Sequence, residues 1–129
     1  MKTIQLVLTK NDFELLQNHL KLSTKLSEFN KKKLIQELKT AKVLKPEDMP
    51  MDVVSENSSV QIEDIESGQQ YNFVLVSPGK ADLKSNKLSV LAPIGVALLG
   101  YGPGVEVDWE MPNGLRTFRI VKVERLKEG

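Results

Sequence analysis

Hydrophobic positions follow a helical period in the first third of this chain and a strand period in the remainder. Phe13, Leu16 and Leu20 recur three to four apart, with Leu15 and Leu22 beside them. Leu34, Leu38 and Ala41 repeat that spacing, flanked by Ile35. Thr9 stands where a helix N-cap belongs, with Asp12 three residues on and Glu14 near the positive end of the helix dipole. The polar run Ser23 to Ser27 suits a turn, and a second helix is expected from about Glu28 to Lys42. Ile4, Leu6 and Leu8 precede both helices as a possible strand over residues 3–8. Helices of ~14 residues reach only ~21 Å, so residues 1–45 read as a short antiparallel helical hairpin, or coiled coil.

Residues 46–50 read as a linker, because Pro46 and Pro50 cannot sit in a continuing helix. Beyond them, residues 51–129 carry strand candidates at Val53–Ser55, Ser59–Asp64, Tyr71–Val76, Lys87–Leu91, Val105–Met111 and Leu115–Leu126. Ser67-Gly68 and Pro78-Gly79 mark turns. The densest segment is LSVLAPIGVALLGYGPGVEVDWEMPNG, Leu88 to Gly114. Pro93 suits the first turn of a helix, and Ile94, Val96, Ala97, Leu98 and Leu99 make that short helix apolar nearly all round, hence buried. Gly100, Gly102 and Gly104 end it. Val105, Val107 and Trp109 alternate with Glu106, Asp108 and Glu110, and Asn113-Gly114 is a hairpin signal. Many short strands around one buried short helix make an α+β domain.

Composition bounds the picture. At 129 residues the chain fits one compact domain, or a small domain with an appendage. It has no cysteine, which removes disulfides and thiolate metal sites and suits a reducing cytoplasm. No signal peptide is expected, since Lys10, Asn11, Asp12 and Glu14 break the early apolar run. No apolar stretch is long enough for a spanning helix, so no membrane partner is expected. The net charge of +1 hides an asymmetry. Residues 1–46 hold ten lysines against four carboxylates, +6, while residues 47–129 hold eight cations against thirteen, −5.

Two stretches carry a family resemblance: Pro46 to Ser58, PEDMPMDVVSENS, and Leu88 to Gly100, LSVLAPIGVALLG. With the acidic strand and Pro-x-Gly hairpin that follow, residues 45 to 124 resemble the C-terminal domain of the bacterial Gre transcript-cleavage factors. Within that superfamily they are most similar to the Rnk-type branch, the regulators of nucleoside diphosphate kinase. The resemblance implies an FKBP-like antiparallel β domain. It also implies a partner, bacterial RNA polymerase, gripped at the rim of its secondary channel by the turn Leu91, Ala92, Pro93 and Ile94. Cleavage factors carry a polar residue and Ser before that proline; here Leu91 and Ala92 point to a more apolar contact.

Cleavage factors also bring acidic residues to the tip of a long hairpin to help hold a catalytic metal. The tip here, around Thr24, Lys25 and Glu28, offers one carboxylate among cations, whereas a hard cation needs grouped oxygen ligands. Glu28 is better read as a first-turn acid on the helix dipole. Glu47 and Asp48 read as solvated linker acids, and Glu63, Asp64 and Glu66 as a solvated hairpin edge. His19, the only histidine, completes no triad or zinc site. Lys31, Lys32 and Lys33 form a basic face, with indirect nucleic-acid contact as an option; no aromatics interleave for base stacking. Gly100-x-Gly102-x-Gly104 follows a helix, the reverse of a dinucleotide fingerprint, and Trp109 reads as core. The expectation is a monomeric, non-enzymatic, cofactor-free and metal-free transcription regulator that competes with cleavage factors without stimulating cleavage. The alternative is an FKBP-like prolyl isomerase or chaperone, for which Tyr71, Phe73, Tyr101, Trp109 and Phe118 supply aromatics.

Overall fold

The computed structural model describes residues 5–23 and 26–126. Strand β1 (Val7–Thr9) leads into helix α1 (Lys10–Leu22), and α2 (Glu28–Lys39) leads into strand β2 (Lys42–Leu44). Thr9 caps α1 as its sequence suggests, its hydroxyl accepting the Asp12 N–H at 3.1 Å, and Ser27 caps α2 through Asn30 in the same way. The second helix stops at Lys39, three residues short of the expected end. Thr40 N–H turns back to the Glu37 and Leu38 carbonyls, and Lys42 N–H donates to Leu6 O, so β2 pairs parallel with β1. Thr3 and Ile4, part of the expected first strand, lie outside the described residues.

After a single 3-10 turn at Pro46–Asp48 come β3 (Ser58–Asp64), β4 (Gln70–Val76), β5 (Lys87–Ser89), α3 (Pro93–Leu98), β6 (Glu106–Met111) and β7 (Gly114–Arg125). The sheet order is β5-β4-β3-β7-β6, which makes the class α+β. The expected antiparallel domain is corrected here: the sheet is mixed, because β5 runs parallel to β4. The excursion from Ser77 to Asn86 makes two 3-10 turns and closes with Asn86 in the left-handed region, φ +56°, which delivers the chain back in its original direction. Val53–Ser55 is not a strand. Val54 instead bridges to the chain after α3, donating to Tyr101 O and accepting from Gly100 N–H, each at 2.9 Å. In β7 the buried positions Phe118, Ile120 and Val123 break strict alternation at a bulge opposite Gln61 and Ile62, which leaves Val121 facing out.

One hydrophobic core runs through the molecule. Leu6, Leu8, Leu16, Leu34 and Leu38 from the helical segment share it with Val54, Val60, Ile62, Leu75, Val90, Leu98, Leu99, Trp109 and Ile120. Gly100 packs tightly against β1. It has φ +90°, its carbonyl accepts Val7 N–H, and an added Cβ would lie 2.9 Å from Leu8 Cδ2.

Candidate functional site

The turn from Leu91 to Ile94 connects β5 to α3, and local chemistry sets its shape. Ser89 ends the strand by accepting twice: its carbonyl takes Ala92 N–H at 2.9 Å and its hydroxyl takes Leu91 N–H at 3.0 Å. Pro93 then opens α3, where its missing N–H costs nothing. The helix crosses the strand end so closely that a Cβ on Gly95 would sit 2.7 Å from Ser89 O and 2.8 Å from Val90 O. With Gly95, Val96, Ala97 and Leu98 buried below, Leu91 and Pro93 are left exposed, and Ala92 and Ile94 half-buried.

The turn forms a ridge between two hollows. On one side a cleft of about 600 Å³ runs between Leu91, Pro93 and Trp109 and, across from them, His19, Leu26 and Asn30. It continues past Leu91 and His19 into a hollow of about 500 Å³ along α1, bordered by Glu14, Leu15 and Leu22. On the other side Ile94 joins Leu88, Phe73, Phe118 and Met111 around a cleft of about 290 Å³. Asp64 and Arg116 border that second cleft, 3.6 Å apart.

The remaining candidates lie elsewhere, and two were misplaced by spacing. Asp64 is buried rather than solvated. It accepts Glu66 N–H at 3.0 Å in a tight turn and faces Arg116, while Glu63 pairs with Arg119 at 2.6 Å. Lys31 and Lys32 are exposed, but Lys33 turns inward and breaks the basic face. Its ammonium pairs with Glu37, donates to the Tyr101 hydroxyl at 2.8 Å and lies 5.2 Å from the centre of that ring. The Tyr101 hydroxyl itself donates to Glu37, and burial together with that carboxylate pushes its pKa above the ordinary phenolic value.

Glu28 sits exposed in the first turn of α2, while Thr24 and Lys25 lie outside the described residues. Glu47 and Asp48 are exposed. Trp109 is buried. Among the described residues no three His, Asp or Glu side chains gather as a metal site would require. No described helix is long and apolar enough to cross a membrane. His19, Leu26 and Asn30 as neighbours of the ridge escaped sequence reasoning, because helical spacing says nothing about which strand a face will meet.

The match that decides the family covers residues 49–125, the β-rich segment containing the ridge and both of its β-domain walls, which fit the family model described as "Transcription elongation factor, GreA/GreB, C-term". The chain belongs to the GreA/GreB family. Within it, the chain is 42% identical over 81 residues to the "Regulator of nucleoside diphosphate kinase" of Escherichia coli (strain K12), covering 63% of this chain and 60% of that protein. It is 33% identical over 92 residues to the "Transcription elongation factor GreA" of Syntrophotalea carbinolica, covering 71% of this chain and 58% of that one. The chain thus matches about three fifths of the length of these curated relatives. A solved "Prokaryotic transcription elongation factor GreA/GreB from Nitrosomonas europaea" superimposes with a TM-score of 0.67 at 33% identity, covering 95% of this chain and 99% of that one. Thermus aquaticus Gfh1 shares the fold, with a TM-score of 0.53 at 22% identity over 95% of this chain and 99% of that one. The named GreA/GreB relatives are thus transcription factors and a regulator of an enzyme.

Proposed function

We propose that this GreA/GreB family member is a non-enzymatic transcription regulator. It grips bacterial RNA polymerase at the rim of the secondary channel through Leu91, Ala92, Pro93 and Ile94, and competes there with Gre cleavage factors without stimulating cleavage. The observation that carries the reading is the built ridge: an exposed Leu91-Pro93 pair, locked by the Ser89 hydrogen bonds and the tight Gly95 crossing, between two apolar clefts. A fixed apolar ridge beside hollows is the form of a protein-docking surface.

The helical segment supports the passive part of the role. Helices of 13 and 12 residues span only ~20 Å, and Glu28 is the one carboxylate at their connection in the sequence. The segment reads as a short antiparallel hairpin on an FKBP-like head, acting by occupancy as a monomer in the cytoplasm, with no cofactor or metal. Lys31 and Lys32 are exposed cations on it for polymerase or, indirectly, nucleic acid. Family membership favours this reading over prolyl isomerisation.

The test is capture of core RNA polymerase by the purified chain, followed by cleavage assays on stalled elongation complexes with and without a Gre cleavage factor. Binding, no cleavage by the chain alone, and dose-dependent loss of factor-stimulated cleavage are expected. Failure to bind, or robust cleavage by the chain alone, refutes the proposal.

A further inference from the structure

The cleft on the α1/α2 side of the ridge draws its walls from both halves of the chain. His19, Leu22 and Leu26 belong to the helical segment, whereas Leu91, Pro93 and Trp109 belong to the β domain. The two walls are pinned together. The Asn30 carboxamide donates to Glu110 O at 2.9 Å and accepts Glu110 N–H at 2.8 Å, so a side chain 4% exposed bridges α2 to the free edge of β6. A groove fixed in this way is ready before its occupant arrives, which lowers the ordering cost of binding.

The charge along the groove is one-sided. Among its described lining residues the only ones of acidic or basic type, His19 aside, are Glu14 in one hollow and Glu110 in the other. Burial lowers the His19 pKa, which disfavours a positive charge on the imidazole. Such a lining welcomes apolar side chains and a cation at either end, and it rejects an acidic segment.

Resting on the polymerase-binding function proposed above, we infer that the helical pair forms the second wall of the docking site, and that the composite groove seats a polymerase segment whose apolar side chains are flanked by lysine or arginine. The β domain then supplies only part of the grip. His19 and Glu14, from the helices, contribute to partner choice.

The test measures core RNA polymerase binding by the full chain carrying Glu14→Lys and Glu110→Lys together. Glu110 meets Asn30 only through its backbone, so this exchange leaves the pin in place. The double variant is expected to bind about tenfold more weakly at low salt, with the deficit shrinking as ionic strength rises. His19→Ala is expected to weaken binding severalfold at any salt, and the distant exposed Glu124→Lys to change little. If both groove variants bind like the parent while Pro93→Asp abolishes binding, the composite groove is wrong and the ridge stands. If the parent itself fails to bind, both ideas fall. Tighter binding by the double variant would mean an acidic occupant. A charge reversal that shifts only self-association in sedimentation would mean a second copy; either result overturns the inference.

Discussion

At Asp12 the turn that caps α1 also carries a carboxylate into the core. Its backbone N–H is held by Thr9, its side chain is 1% exposed, and Oδ1 has no hydrogen-bond partner among the described residues. Burial pushes its pKa from 3.8 up to about 6, against the Glu56 N–H that donates to it, with the Glu56 charge adding to the rise and Thr9 and Arg125 opposing it. The sign follows from proton counting. Between pH 3.8 and about 6 the folded chain holds more protons here than the unfolded chain. This group's contribution therefore weakens stability as pH rises through that window, by on the order of 3 kcal/mol above it. Asp12→Asn keeps the shape and removes the charge. It is expected to raise unfolding free energy at pH 7.5 by about 1–3 kcal/mol and to close most of that gap by pH 4. Urea denaturation of both proteins across pH 4–8 checks this, and parallel profiles would show that the carboxylate is not strained. The capping role of Thr9 and Asp12 is legible in the sequence; the burial of the side chain is not, because it depends on the Ser55–Asn57 loop folding over it.

At the scale of elements, Asn30 stands in for a missing strand. Its amide reproduces both backbone hydrogen bonds that a neighbour would give Glu110, and it closes part of an edge that would otherwise be open to pairing. Asn30→Ala leaves a donor and an acceptor without partners, at a cost of about 1–3 kcal/mol each. The expected outcome is a loss of about 2–5 kcal/mol, together with faster hydrogen exchange at the Glu110 amide. Unchanged exchange there would show that the edge is held by other contacts. Helices α1 and α2, strands β3, β4, β6 and β7, and the proline-started α3 could all be read from period and punctuation, because their signals are local. Strand β2 could not. Lys42-Val43-Leu44 has no alternation, and it is extended only because β1 offers a parallel partner. Strand β5 was legible within Lys87–Leu91, but its parallel direction was not, because a ten-residue loop decides it. The docking turn was legible because proline, glycine and an apolar helix are local signals. Its facing wall was not, because an Asn 80 positions away from its hydrogen-bond partner leaves no trace in spacing.

For the molecule as a whole, the question is whether the basic helical segment and the acidic β domain behave as one body. The core argues that they do. Leu6, Leu8, Leu16, Leu34 and Leu38 are at most 9% exposed, and all join the cluster that contains Trp109. Asn30 to Glu110, and Lys33 and Glu37 to Tyr101, then tie α2 to the β domain at two further places. Removing α2 from this cluster would uncover apolar surface on both sides, at roughly 25 cal/mol per Å², so neither half can open at low cost. Leu34→Ala probes this coupling directly. The substitution lies in α2, yet a truncated core leucine costs about 2–5 kcal/mol wherever the cavity falls. In a single cooperative unit the loss appears equally in every probe. Helix-weighted circular dichroism and Trp109 fluorescence are therefore expected to give one superimposable denaturation curve in the parent, and to shift together by the same amount in Leu34→Ala. An earlier helical transition with an unmoved tryptophan signal would show that the helices are an independent appendage. In that case a groove shared between helices and β domain could not hold a fixed shape for any partner.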